Sequence, residues 1–372
     1  MHFNFTEEQG LFKDAIDKFV AGEYGFEQRR RYQQEPGGWS RAIWEQLAGQ
    51  GFLALPFDEA HGGLGYGAVE MMIVMEALGR ALLLEPYLTT VVVAGGVLRT
   101  AASATQLEAL IPGIASGEQI IALATTEKQS RYNLNDVAVS AQREGDACVL
   151  NGTKIAVMHG DSADRFIVSA RTSGARADAS GISLFLVDAD APGLRRRGYR
   201  TQDSLRAADL VLDGVRVPES ARIGTEGQGL AALERASELA IAALAAESVG
   251  AMQAMLDLTV DYIKQRNQFG GPIARFQALQ HRAAEMLIEV EQVRSMAIYA
   301  ALKVDEPDTA ERRRAMSAVS PSAQHSTITG PLKPDFFNSP KTAGKSTLPV
   351  PNSSQTLPFC LSQSLAQKPV TC

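Results

Sequence analysis

Arg266-Asn267-Gln268-Phe269-Gly270-Gly271-Pro272-Ile273-Ala274-Arg275-Phe276-Gln277 lies between two long segments of helical apolar periodicity. An arginine ends the first segment, a glycine pair and a proline break it, and Phe276-Gln277 restarts the second. Gly270-Gly271 permits backbone conformations closed to other residues, and Pro272 pre-sets φ for the turn or for the first position of the next helix. The planar guanidinium of Arg266 suits a phosphate. Taken alone, the stretch also fits an ordinary helical hairpin with one exposed arginine, so its meaning rests on the chain around it.

The flanking helices are expected from Leu230 to about Gln265 and from Ala274 to about Val304, with another beginning near Thr309. Upstream of Gly224-Thr225-Glu226-Gly227-Gln228-Gly229, a glycine-rich turn without the lysine of a P-loop, the period changes to two. Val137, Val139 and Ala141 alternate with polar neighbours. Cys148-Val149-Leu150 then leads into Asn151-Gly152, which reads as a type I′ hairpin turn. Phe166-Ile167-Val168, Ile182 to Val187, Leu210-Val211-Leu212 and Val215-Arg216-Val217-Pro218 supply further strands. The first third is helical again. Thr6 with Gln9 predicts a capping box, followed by a stripe of Leu11, Phe12, Ala15, Ile16, Phe19 and Val20. Ser40 is expected to cap a helix carrying Ile43, Trp44 and Leu47, and a third helix runs from roughly Val69 to Ala81. Gly62 to Gly65 lacks the GxGxxG spacing and reads as a turn. The fold class is therefore α+β: an N-terminal helical domain (1–119), a compact, barrel-like antiparallel β domain (120–219) and a C-terminal helical domain (220–318).

Composition narrows the function. A net charge of −6 with no basic stripe argues against a nucleic-acid partner, and Arg195-Arg196-Arg197 and Arg312-Arg313-Arg314 read as solvated faces. Cys148, Cys360 and Cys372 offer neither a disulfide framework nor metal-ligand spacing, so no metal is expected. The first residues lack the pattern of a signal peptide, and the apolar run from Val91 to Leu98 is too short to span a bilayer. A soluble, cytoplasmic protein is expected. Beyond Ala318 the periodicity stops, and 319–372 reads as a disordered tail. Ser320 to Cys372 holds half of the prolines and neither arginine nor glutamate, so no face can offset its ordering entropy.

The order helical–β–helical resembles the acyl-CoA dehydrogenases from residue 1 to about 318. So do Leu150-Asn151-Gly152-Thr153-Lys154, Gly214-Val215-Arg216-Val217-Pro218 and the Arg266–Gln277 turn. Gly37-Gly38-Trp39-Ser40-Arg41, Gln129-Ser130-Arg131-Tyr132, His159-Gly160-Asp161-Ser162-Ala163-Asp164 and Gly198-Tyr199-Arg200-Thr201-Gln202-Asp203 narrow the likeness to a small-subunit branch of that family.

The resemblance implies FAD as cofactor and α,β-desaturation of an acyl-CoA thioester in fatty or dicarboxylic acid degradation. A carboxylate takes the α proton while flavin N5 takes hydride from Cβ. It further implies a homo- or hetero-oligomer with another acyl-CoA dehydrogenase subunit, and an electron-acceptor flavoprotein. By position, Leu123, Thr125 and Thr126 are flavin-facing, with Thr126 on the pyrimidine edge, and Met158 stands where a threonine bonds N5. Arg266, Gln268, Phe269 and Gln277 meet the ADP half of an FAD held mainly by a neighbouring subunit. Tyr132 and Glu238 fall at substrate positions.

Departures from the family pattern are equally specific. Glu127-Lys128-Gln129-Ser130-Arg131-Tyr132 replaces a glycine-rich loop, and Ala156-Val157-Met158 replaces Trp-Ile-Thr. The base position in the long helix holds Ala240, with Ile241 beside it, so no catalytic residue is assigned. Glu238 is two residues away, a rotation of about 200° on a helix. Glu234 and Glu247 read as polar or interface residues. The alternative base and a Gln-x-x-Gly-Gly-x-Gly loop belong to the region the tail replaces. Two further readings follow: a non-catalytic partner subunit of a heteromer, or an inactive product of a frameshift or fusion at Val319. The latter leaves an exposed apolar groove on helices 230–265 and 274–304.

Overall fold

The computed structural model describes residues 5–329, the side chains of 320–329 excepted. The expected disordered tail therefore lies mostly outside the described residues, as do Cys360 and Cys372. Helices α1 (Glu7–Glu23), α2 (Phe26–Tyr32), α3 (Arg41–Gly49) and α4 (Ala68–Ala81) come first. A π-helix (Leu88–Ala94), α5 (Gly95–Ala101) and α6 (Ala104–Ala115) follow. Next are strands β1 (Ile121–Ala124), β2 (Ser140–Glu144), β3 (Ala147–Met158), β4 (Arg165–Arg171), β5 (Ile182–Asp188), β6 (Leu194–Arg200), β7 (Arg206–Pro218) and β8 (Arg222–Ile223). The chain closes with α7 (Gly229–Gln265), β9 (Asn267–Gln268), β10 (Gly271–Pro272), α8 (Gln277–Lys303) and α9 (Thr309–Thr329). The helix begun at Thr309 thus continues past position 319. These elements form two compact units. Of the described residues, the first holds those up to Arg29, Gly65–Leu83 and those from Glu238; the second holds Arg30–Leu64 and Leu84–Ser237.

In the first unit α1 opens with the expected reciprocal cap, Thr6 to Gln9 and back. It buries Ile16, Phe19 and Val20 against α4, whereas Leu11 stays 67% exposed, so only the C-terminal half of the predicted stripe is core. Two glycines set a close helix crossing. A Cβ on Gly79 would lie 2.1 Å from the Glu247 carbonyl oxygen, and one on Gly250 would lie 1.9 Å from that of Glu76. Helices α4 and α7 thus touch backbone to backbone, which larger side chains forbid. Glu76 is also held by Arg294 of α8 at 2.5 Å. Helix α8 buries Met286, Val290, Val293, Ala297 and Ala301, a three-and-four spacing, and packs on α9. Met255, Leu258, Tyr262, Leu287 and Ile288 remain exposed on α7 and α8.

Among the described residues only Gly229–Gln265 is long and apolar enough to cross a membrane. Its apolarity is largely alanine, and Ala232, Ala236, Ala240, Ala243 and Ala246 are buried within the fold.

In the second unit the strands form one sheet in the order β6-β7-β3-β2-β4-β5-β8, with β1 beside β4. Pairing is antiparallel except where β1 and β2 meet β4 in parallel. The apolar run Phe166–Val168 makes β4 the buried centre. Helix α3 starts after Ser40 as expected, yet the Ser40 hydroxyl does not cap it. Its backbone N–H instead donates to buried Glu85 at 3.1 Å.

Asn151-Gly152 is not a hairpin turn. Glu144 pairs with Ala147, so the tight turn is Gly145-Asp146, with Gly145 at φ 67. Asn151 and Gly152 lie inside β3 at a bulge, where the pairing with β7 jumps from Leu150↔Val215 to Gly152↔Leu212. The Asn151 side chain accepts from the Gly214 N–H at 2.8 Å across that bulge. Gly152 has φ 140, and a Cβ there would meet Val139 Cγ2 at 2.7 Å. An Asn-Gly pair serves a bulge as readily as a turn, because both need backbone that β-carbons resist. The two segments read as separate strands, Leu210–Leu212 and Val215–Pro218, are one strand bent at Gly214.

Candidate functional site

The site is built on the end of β1. Leu123 pairs with Ile167 and is half-buried, as are Thr125 and Thr126 just beyond the strand. The Thr126 carbonyl accepts from the Ile155 N–H at 2.8 Å, which joins this edge to β3. Beneath it lies a charged pair that the sequence reading missed. Lys154 is fully buried and donates to Glu127 Oε1 at 2.7 Å, to Ser169 Oγ at 2.9 Å and to the Thr125 carbonyl at 3.2 Å. The Glu127 carboxylate also accepts from Gln129 and from the Ala138 and Val139 amides. Burial pushes Glu127 upward, but Lys154 and the other donors outweigh it and hold the carboxyl below its ordinary value. Burial pulls Lys154 down to about 8, with Glu127 opposing. A lysine at an inward position of the β3 alternation was the available signal, since a buried charge requires a partner.

Met158 ends β3 opposite Ala207 of β7 and is half-buried. Ala156, at φ 52, sits at a second bulge, and its N–H donates to Asp209 at 3.2 Å. Past Met158 the chain turns at His159, φ 53, whose buried Nδ1 has no hydrogen-bond partner among the described residues. Burial, more than the opposing charges of Asp161 and Asp203, sets this imidazole, pulling it down to about 4. Three of the motifs quoted above converge here. Trp39 Nε1 donates to Ser162 Oγ at 3.1 Å, and a Cβ on Gly198 would lie 2.7 Å from that of Asp161. Asp161 is itself paired with Arg206 at 2.6 Å. Tyr132 stands 47% exposed beyond Arg131, which is held at φ 48.

The remaining candidates belong to the first unit. Asn267↔Pro272 and Gln268↔Gly271 pair across a two-residue turn, with φ 52 at Phe269 and 86 at Gly270. Left-handed backbone at both central positions is the type I′ pattern. It falls on Phe269-Gly270, so of the glycine pair only Gly270 takes the left-handed backbone. The Phe269 ring is 82% exposed and meets Phe276 edge-on at 5.9 Å, while Arg275 donates to the Phe269 and Gly270 carbonyls. Arg266, Gln268 and Gln277 are exposed too. On α7, Ala240 is fully buried, and Glu238 is 6% exposed and held by Arg312 of α9 at 2.6 Å. Arg312 is therefore no solvated residue: a buried carboxylate claims its guanidinium.

Family models of the acyl-CoA dehydrogenase N-terminal, middle and C-terminal domains match residues 6–118, 122–215 and 227–322. The acyl-CoA dehydrogenase FadE12 of Mycobacterium tuberculosis is 30% identical over 82% of this chain and 78% of its own length. The chain belongs to the acyl-CoA dehydrogenase family. The mouse mitochondrial long-chain specific acyl-CoA dehydrogenase is 30% identical over 76% of this chain, which spans 66% of that relative's length. The ChsE4-ChsE5 complex of Mycobacterium tuberculosis supplies a chain of the same fold, with TM-score 0.74, 26% identity and 88% of each chain covered. Domain order, sheet and helical layout are thus those of an acyl-CoA dehydrogenase.

The donor set of this family member fits FAD. The Thr126 hydroxyl is half-exposed and engages no protein partner among the described residues, so it is available to a ring edge. Arg266 is likewise exposed and unpaired among those residues, as a phosphate contact requires. Met158 brings a thioether, which donates no hydrogen bond. A cavity of about 280 Å³ lined by Cys148, Glu219, Arg222 and Glu226 includes none of the candidate residues. No cluster of metal-ligating side chains occurs among the described residues.

Proposed function

We propose that this chain is a subunit of an FAD-dependent acyl-CoA dehydrogenase. It would act on an acyl-CoA thioester within an oligomer that includes another subunit of the family. Bound flavin supplies the hydride acceptor for Cβ. Thr126 orients the pyrimidine edge, while Leu123, Thr125 and Met158 form the wall beside it. Arg266, Gln268, Phe269 and Gln277 are offered to the ADP half of a flavin on the neighbouring subunit. Tyr132 and Glu238 stand on the substrate side. The likeness of Gly37–Arg41, His159–Asp164 and Gly198–Asp203 to the small subunit of bacterial pimeloyl-CoA dehydrogenase supports a dicarboxylic substrate. Electrons then leave to an acceptor flavoprotein.

One observation carries the subunit reading: Ala240 is buried, and Glu238, two residues before it, is paired with Arg312. A general base must approach the α carbon within roughly 3 Å with a free carboxylate. Alanine has none, and Glu238 spends its carboxylate on Arg312, which leaves a carboxylate of another chain as the base we favour over Glu234 and Glu247 of the same helix. Turnover of an acyl-CoA by a flavin-loaded preparation, with and without a co-purified family subunit, tests this. Glu238→Gln should leave kcat within about threefold, because its role is not proton transfer. Abolished turnover with flavin and CoA still bound would make Glu238 the base and this chain a catalyst alone.

A further inference from the structure

The Thr125-Thr126 edge is held by more than its own backbone pairing. Thr125 and Thr126 follow the last residue of β1, and 128–139 is an irregular connection before β2. Beside the Ile155 N–H bond to the Thr126 carbonyl and the Arg171 bond to the Asn135 carbonyl, two buried side chains tie this segment to the sheet. Lys154, on β3, reaches the Thr125 carbonyl, Glu127 Oε1 and Ser169 Oγ. Glu127 in turn accepts the Ala138 and Val139 amides, so one carboxylate joins the two ends of the connection, eleven and twelve residues apart. Both side chains are almost fully out of solvent, at 0% and 2% exposed.

We propose that Lys154 and Glu127 are positioning residues whose buried ion pair holds the Thr125-Thr126 edge and the 128–139 connection in the shape that receives the cofactor. A buried pair adds little net stability over apolar residues of the same volume, because desolvation offsets the attraction. Its value lies in geometry: ammonium and carboxylate together satisfy a carbonyl, a hydroxyl and two amides that an apolar pair leaves unmet. Order and stability therefore separate on substitution. The ordering stands by itself, while its consequence for FAD rests on the function proposed above.

Hydrogen exchange and thermal melting of the full chain, with FAD titration of its co-expressed complex alongside, test both parts. In the unmodified protein the Ala138 and Val139 amides should exchange as slowly as those of β4. Exchange as fast as in exposed loops overturns the proposal without any variant. In the double variant Lys154→Met/Glu127→Leu, melting should return close to that of the parent. The same two amides should exchange about tenfold faster or more, and FAD should bind about tenfold weaker. Full recovery of amide protection in the double variant would show the pair to be packing only and overturn the proposal. Slow exchange in a parent that binds no FAD even in the co-expressed complex with a family subunit supports the ordering and counts against the flavin reading instead.

Discussion

Two parts of this molecule handle polar groups in opposite ways. At the β1 edge a lysine and a glutamate are buried and every contact they make is internal. At the Arg266–Gln277 turn an arginine, two glutamines and a phenylalanine face solvent. The first region completes its bonding within one chain, and its residues define a shape. The second has a defined type I′ backbone, yet its side chains are exposed. Exposed groups on a defined turn suit a surface completed by something else, which the function proposed above takes to be the flavin of a neighbouring subunit.

Substitution should expose that contrast. Lys154→Met leaves Glu127 charged and buried without its ammonium, and should destabilise the chain by about 3–5 kcal/mol in urea unfolding. A loss below about 1 kcal/mol would mean that water reaches the pair. The next largest effect is one of pH. His159 is 3% exposed, and its folded value of about 4 lies below its ordinary 6.5. The unfolded chain therefore takes up the proton first, so this stability is complete above about pH 6.5 and lost as pH falls towards 4. The loss should be roughly 3 kcal/mol. His159→Asn keeps a residue that tolerates the left-handed backbone and should remove this contribution from the slope. An unchanged slope would assign the acid sensitivity elsewhere. Smallest of all, Arg266→Ala should shift stability by no more than about 0.5 kcal/mol while weakening flavin retention in the oligomer. If it destabilises the free chain instead, the turn is structural and the contrast fails.

Much of this was legible from residue order alone. Thr6 and Gln9 are three apart and cap one helix locally, and the apolar run Phe166–Val168, read as a strand, is the buried centre of β4. Interactions between distant residues were not legible. Lys154 and Glu127 are 27 positions apart, and each looks like a surface residue until β3 places the lysine inward. Arg312 looked solvated within an arginine run, because only the packing of α9 brings it to Glu238. Asn151-Gly152 misled for a different reason: its backbone freedom serves turns and bulges alike, and only the register with β7 tells them apart.

Whether the chain holds and uses flavin alone is read most directly from the visible absorbance of the purified protein. It should be recorded with and without a co-expressed acyl-CoA dehydrogenase subunit, then again after anaerobic addition of an acyl-CoA. The chain alone should carry clearly less than one flavin per subunit and show no bleaching. The co-expressed complex should be yellow and bleach on addition. A solitary chain that is stoichiometrically yellow and bleached by acyl-CoA would contradict the subunit reading, because it would hold both a complete flavin site and a base of its own.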